Sequence, residues 1–229
     1  MYKSEIEYAS LRAAWKFKQM LPQLPVPATE AFTFLVKHLV PFGITSRSVT
    51  IETPSYNLAD VSFIIDLINP RVRLKITYEE IEILSDNVQA EDILNILKIM
   101  SIAFEALEKL DSETKNGVGE TRISIHSTFL EEKIEDYLSE RISDKISQSQ
   151  ATPEAIVFVL KDEANIDKFT TRITIAKSNA FENTLFLDIG YQTQILLVEN
   201  PMTFFESLKT HYQDVFSLLD IELVETDEQ

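Results

Sequence analysis

The chain has 229 residues with 21 basic and 37 acidic side chains, a net charge of −16 and a pI near 4.6. That charge opposes non-specific binding to nucleic acid or anionic membranes. The absence of cysteine excludes disulfides, thiol catalysis, cysteine-ligated zinc and iron–sulfur clusters.

An apolar share of 45% and a charged share of 25% match an ordinary soluble globular protein. The length is enough to bury a core, in one large domain or two small ones. No apolar run approaches the roughly 20 residues of a bilayer span. The opening MYKSEIEY lacks a signal peptide's apolar core, which predicts a cytoplasmic protein without membrane association. The charge is uneven: residues 1–115 carry 12 basic and 16 acidic side chains, residues 116–229 carry 9 and 21. Acids gather near Glu131–Glu140 and Glu222–Glu228, both expected as solvated surface.

Residues 6–18 read as the first strand. Leu11, Ala13, Trp15 and Phe17 alternate there with Arg12, Ala14, Lys16 and Lys18, leaving one wet face. Pro22, Pro25 and Pro27 end it. A helix is expected over residues 29–40, with Phe32, Leu35, Val36 and Leu39 on one side and Pro41 and Gly43 as stop signals. Strands follow at 46–53, 58–67, 71–78 and near 81–84, separated by Pro54 and Asn69-Pro70.

Residues 90–110 then form the most apolar helix of the chain. Ile93, Leu97, Met100, Phe104 and Leu107 share a face, and Leu94, Ile96, Ile99, Ile102 and Ala103 widen it. Only a narrow stripe around Glu91, Asp92, Asn95 and Lys98 remains polar. Such a helix needs a sheet on one side and a second contact on another. Asp86 or Asn87 is expected to cap its start, with Glu91 and Asp92 favoured by the positive helix end.

The polar run DSETKNGVGE, residues 111–120, holds two of the four glycines and reads as a linker. A strand at 121–127 follows. Thr128-x-x-Glu131 then reads as a capping box opening a helix with Leu130, Ile134, Leu138, Ile142 and Ile146 on one face. After a loop at 148–152, strands are expected at 154–161, 169–177, 184–189 and near 194–198. Asn200 and Pro201 start a closing helix with Phe205, Leu208, Tyr212, Val215 and Leu219 inward.

Both halves thus read strand, helix, four strands, helix. Residues 73–87, RLKITYEEIEILSDN, align with residues 185–200, LFLDIGYQTQILLVEN. The predicted class is α+β: two tandem pseudo-repeats whose antiparallel sheet is backed by long helices. The expected division is 1–112, a linker at 113–120, 121–220, and an acidic tail at 221–229. The same element order occurs in each half of the TATA-binding-protein-like fold, which the chain resembles in architecture alone.

Chemical motifs are scarce. Glycines at 43, 117, 119 and 190 build neither a phosphate-cradling loop nor a dinucleotide fingerprint. His38, His126 and His211 lie in three different elements without metal-ligand spacing, so no metal and no cofactor is expected. There is no G-x-S-x-G elbow. Asp66 and Asp188 interrupt very apolar strands, FIIDLI and LFLDIG, and are the candidates for a buried carboxylate with a raised pKa. The ordinary alternative is that each faces solvent or pairs with a neighbouring base.

The basic strands are the stronger clue. Arg71, Arg73 and Lys75 alternate with Val72, Leu74 and Ile76, and Arg12 and Lys16 do the same on the first strand. Arg122 with His126, and Arg172 with Thr170 and Thr174, repeat the pattern. One open sheet face would then carry the cations, unless Asp60, Asp66, Glu80 and Glu82 neutralise them across strands. These residues predict a non-enzymatic interaction protein that binds a macromolecule, another protein rather than nucleic acid, through Arg12, Lys16, Arg71, Arg73, Lys75 and Arg172. The competing expectation is a small-ligand carrier or enzyme with a cavity between sheet and helices around Asp66 or Asp188. A third, an acidic mimic of nucleic acid, rests on the acidic second half.

Overall fold

The first strand, β1 (Tyr2–Phe17), is sixteen residues long and is paired along both edges. On one side β6 (Gly117–Phe129) runs antiparallel to it from Ser4 to Phe17, with a register shift between Ile6 and Tyr8. The other side is shared. There β5 (Glu80–Asp86) pairs antiparallel with Ser10–Lys16, and β10 (Ile221–Val224) runs parallel beside Tyr2–Glu5. The computed structural model describes residues 2–21, 30–53, 61–68, 71–88, 92–131, 133–141, 154–161, 169–193 and 201–224, with the side chains of 161, 169, 193, 201–209 and 223 left aside.

Outward from β5 lie β4 (Val72–Thr77), β3 (Ser62–Leu67) and β2 (Val49–Glu52); outward from β6 lie β9 (Leu185–Thr193), β8 (Phe169–Lys177) and β7 (Ala155–Lys161). Among the described residues the result is one ten-stranded sheet in the order β2-β3-β4-β5-β1-β6-β9-β8-β7, with β10 on β1. All pairings except β1·β10 are antiparallel. The chain is therefore α+β.

Among the described residues four helices cover one face: α1 (Glu30–Leu39), α2 (Asp92–Glu108), α3 (Ile134–Ser139) and α4 (Pro201–Leu218). Strand alternation sends Ala13, Trp15, Ile65, Leu74, Ile76, Ile81 and Ile83 to that face, where they meet Leu35 and Leu39 of α1 and Ile96, Ile99, Met100, Ala103 and Leu107 of α2. On the other half, Ile125, Ile173, Ile175, Leu187 and Ile189 meet Ile134, Tyr137 and Leu138 of α3, Val215 of α4 and Leu219 just after it. α2 touches α1 and α4. The second contact that its apolar breadth demands is thus helical. No helix among the described residues is long and apolar enough to cross a membrane.

Several local expectations change. α2 starts at Asp92, so neither Asp86 nor Asn87 caps it: Asp86 closes β5, and Asn87 turns the chain with φ 52°. Leu97 is only half-buried, and Ile93 and Leu94 are exposed. The helix buries the side centred on Ile96, Ile99 and Ala103 instead. The capping box does not form, because β6 runs through Thr128, which lies opposite Glu5; α3 begins later, after Lys133. The acidic tail opens as a strand whose Ile221 is buried, the apolar alternation in IELV outweighing its charge. The expected strand near 194–198 and the three prolines of the first connector lie outside the described residues.

The run read as a linker is structured. Ser112–Lys115 is a 3-10 turn whose Thr114 carbonyl accepts from the buried Trp15 indole N–H at 3.1 Å. Residues 117–120 already belong to β6. Gly117 is a packing glycine. A Cβ there would lie 2.3 Å from the Lys16 carbonyl oxygen and 2.6 Å from Trp15 Nε1. At Gly190 the nearest atoms are 3.9 Å and 4.0 Å away. Gly117→Ala is therefore expected to cost about 1–3 kcal/mol, the usual range for overpacking, while Gly190→Ala stays close to wild type. Denaturant midpoints of the two variants check this; equal midpoints would remove the packing role.

Candidate partner-binding face

Strand alternation leaves the face opposite the helices to the polar residues, and the register aligns them in rows across the sheet. One row runs Asp66, Arg73, Leu84, Arg12, Arg122, Gly190, Arg172, Val159, from β3 to β7. A second runs Ile64, Lys75, Glu82, Ala14, Glu120, Gln192, Thr170. On the other side of the first lie Asp86, Ser10, Ser124, Asp188, Thr174 and Val157. Four arginines thus stand in one row across the centre of the sheet, with acids in the rows beside them.

Arg12 and Arg122 are direct cross-strand neighbours, which like charges disfavour. Each is drawn away to an acid. Arg12 bonds Glu82 of β5, and its Nη1 lies 3.5 Å from Glu120 Oε2. Arg122 Nε donates to Asp188 Oδ1 at 2.7 Å, and that oxygen also accepts from Ser124 Oγ at 2.8 Å. Farther out, Arg73 Nε donates to Asp66 Oδ1 at 2.9 Å, and Lys16 Nζ sits 2.8 Å from Glu120 Oε2. Partial burial works against ionisation of Glu120, but Lys16 and Arg12 outweigh it and hold its carboxyl below the usual range. The face is a mosaic of paired charges rather than a basic patch.

Arg12, Arg73 and Arg172 share the central row, Lys75 stands in the row beside it, and Lys16 is one step farther along β1. Arg71 departs from them. It lies just before β4, and its Nη1 is 3.4 Å from Asp92 Oδ2 at the buried start of α2. Lys75 and Arg172 have no ion pair among the described residues. Arg122, which in sequence repeats the basic pattern with His126, completes the row, and the register brings it beside Arg12. Asp66 and Asp188 are corrected as cavity candidates. Both lie on the open face, held by Arg73 and Arg122, while their neighbours Ile65, Leu67, Leu187 and Ile189 point into the helix-covered core.

At one end of this face is an aromatic group that periodicity does not reveal. Tyr8, His126 and Phe186 are cross-strand neighbours on β1, β6 and β9. Phe181, from the β8–β9 turn, leans over them with its ring 5.0 Å from His126 and 6.4 Å from Tyr8. Ser178 Oγ accepts from the Ala180 and Phe181 amides, which leaves its hydroxyl proton for His126 Nδ1 at 2.9 Å. Burial holds the His126 pKa below its ordinary value. This end of the face is partly apolar, with the Tyr8 hydroxyl donating to Asp86 Oδ1 at 3.4 Å.

A second polar group lies beneath the sheet. Thr121, Tyr191 and Thr171 form one cross-strand row on the core face, under α4. The Tyr212 hydroxyl is 2.9 Å from Thr121 Oγ1, and His211 Nε2 is 3.1 Å from Thr171 Oγ1. Both threonines are buried. The arrangement anchors α4 by satisfying polar groups that burial would otherwise penalise. Among the described residues, no group of three or more His, Asp or Glu is placed to hold a metal ion.

Burial lowers the His211 pKa, opposed by the charge of Asp214. A histidine whose folded pKa lies below its unfolded value of about 6.5 stabilises the fold above that value. It withdraws that contribution as pH falls through 6.5 towards the folded pKa. Between pH 7.5 and 5.5, roughly the window of that titration, wild type is expected to lose more melting temperature than His211→Gln. Parallel pH profiles would show that His211 titrates as in the unfolded chain. No protein-family model matches the chain, and no curated protein matches it either.

Proposed function

We propose that the chain is a non-enzymatic cytoplasmic binding protein that takes an acidic segment of another protein across its open sheet face. The observation that carries this reading is the arginine row Arg73, Arg12, Arg122, Arg172. At about 4.8 Å per strand it extends roughly 24 Å from β4 to β8. Each ion pair uses only part of a guanidinium's five donors, and the side chains of Arg73 and Arg122 stay more than half exposed. An extended chain of about eight residues, at about 3.3 Å each, matches the row in length. Its carboxylates would exchange partners with the part-exposed Asp66 at little electrostatic cost, because exposed pairs are worth under about 1 kcal/mol. They would add to the unused donors of Arg12 and Arg122, whose own acids Glu82 and Asp188 stay in place. A nucleic-acid backbone fits the donors equally well but meets a molecule of −16. That favours a local acidic segment over a polyanion.

The scaffold reading goes with it: two tandem α+β units with TATA-binding-protein-like element order. Its support is the mirrored strand order, β3-β4-β5-β1 on one side and β7-β8-β9-β6 on the other, each followed by a long helix. This order equates β5 with β9, one strand later than the alignment of residues 73–87 with 185–200. β2 then has no counterpart among the described residues.

A fluorescein-labelled peptide of about eight residues, alternating Glu and Ser, is the probe. Saturable binding is expected at low salt, weakening as salt rises. Arg122→Gln with Arg172→Glu should lower affinity at least tenfold with melting temperature nearly unchanged. Binding unaffected by the double variant, or a single-stranded oligonucleotide binding more tightly than the peptide, would overturn the proposal.

A further inference from the structure

The sheet has two ends, and they differ. At one, β2 is four residues long and carries Glu52. At the other, β7 reads Ala-Ile-Val-Phe-Val-Leu-Lys and among the described residues pairs with β8 alone. Natural edge strands are protected by shortness, charge, proline or bulges. β7 has seven residues in unbroken register and one charge, Lys161.

The direction of its backbone groups follows from one hydrogen bond. Lys177 N donates to Glu154 O at 3.3 Å, so Glu154 turns its polar groups towards β8. Alternation then directs those of Ile156, Phe158 and Leu160 to β8 as well. Ala155, Val157, Val159 and Lys161 present theirs outward. The same alternation puts Val157 and Val159 on the open face, 50% and 55% exposed, while Ile156, Phe158 and Leu160 pack against the core.

We infer that β7 pairs antiparallel with β7 of a second copy about a two-fold axis at Phe158. In that register Val157 lies opposite Val159 of the second copy, Ile156 opposite its Leu160, and Ala155 opposite its Lys161. Every outward N–H and C=O then meets a complementary group. A residue-centred axis also keeps both open faces on one side of a continuous sheet. Isologous pairing requires that one strand complement itself, and this strand does. Charge selects the place. Two molecules of −16 repel, and β7 itself holds no acid, the exposed Glu154 standing just before the strand and Arg172 beside it on the open face. The four valines of the pair form one apolar strip across the join. The inference does not depend on the arginine row or on what binds there.

Sedimentation velocity of the full chain at tens of micromolar tests it. Wild type is expected at twice the 26.2 kDa of one chain. Val159→Pro removes an outward N–H and no β7–β8 bond, so it should sediment as a monomer with unchanged circular dichroism. If proline disturbs the strand, Val157→Lys with Val159→Lys places like charges opposite one another and should give the same monomer. Wild type at single-chain mass throughout, or a dimer that survives both variants, would overturn the inference.

Discussion

Everything in this molecule hangs on the double pairing of β1. A central strand must satisfy backbone groups on two sides, and here three different strands do so: β6 along one edge, β5 and β10 along the other. Hydrogen bonds of this kind add only about 1 kcal/mol each, but leaving them unmade in a buried strand costs more. The two halves therefore do not meet as finished domains with a wet interface between them. They share a sheet, and β1·β6 is its seam. The chain closes the arrangement by returning β10 to the first residues of β1.

Trp15 fixes how tightly that seam closes. The indole lies on the helix side of β1, packed edge-on against Phe104 of α2 at 6.0 Å, with its N–H spent on the Thr114 carbonyl. Gly117, the first residue of β6, is where a side chain would strike that ring. One residue thus ties the long helix, the connecting turn and the seam together. Apolar burial supplies the energy, while the hydrogen bond and the missing Cβ set the geometry.

How much of this was legible in the chain varies by residue. The alternation of Leu11, Ala13, Trp15 and Phe17, and the breadth of the helix around Ile99 and Ala103, announced a sheet backed by helices, because burial imposes its period on sequence. The linker signal at Gly117 and Gly119 misled, since glycine marks close approach as readily as flexibility. Asp66 and Asp188 looked buried because the residues beside them are. Within one strand nothing tells which face a neighbouring strand leaves open. Spacing alone groups Arg71 with Arg73, but alternation holds only inside the strand, and Arg71 lies before it. The arginine row was invisible for the most physical reason: it belongs to the register between strands, and no single segment carries that information.

The open face follows from the same seam. Among the described residues helices lie on one side only, and the sheet presents Arg73, Arg12, Arg122 and Arg172 on the other in a line that crosses from one half to the other. If the halves were separate bodies, that line would be broken between Arg12 and Arg122. Native-state hydrogen exchange tests this most directly. The amides of β1, β5, β6 and β9 should exchange with one common free energy, equal to that of global unfolding. Exchange in which β6 and β9 open well before β1 and β5, or the reverse, would contradict the account and divide the molecule at its seam.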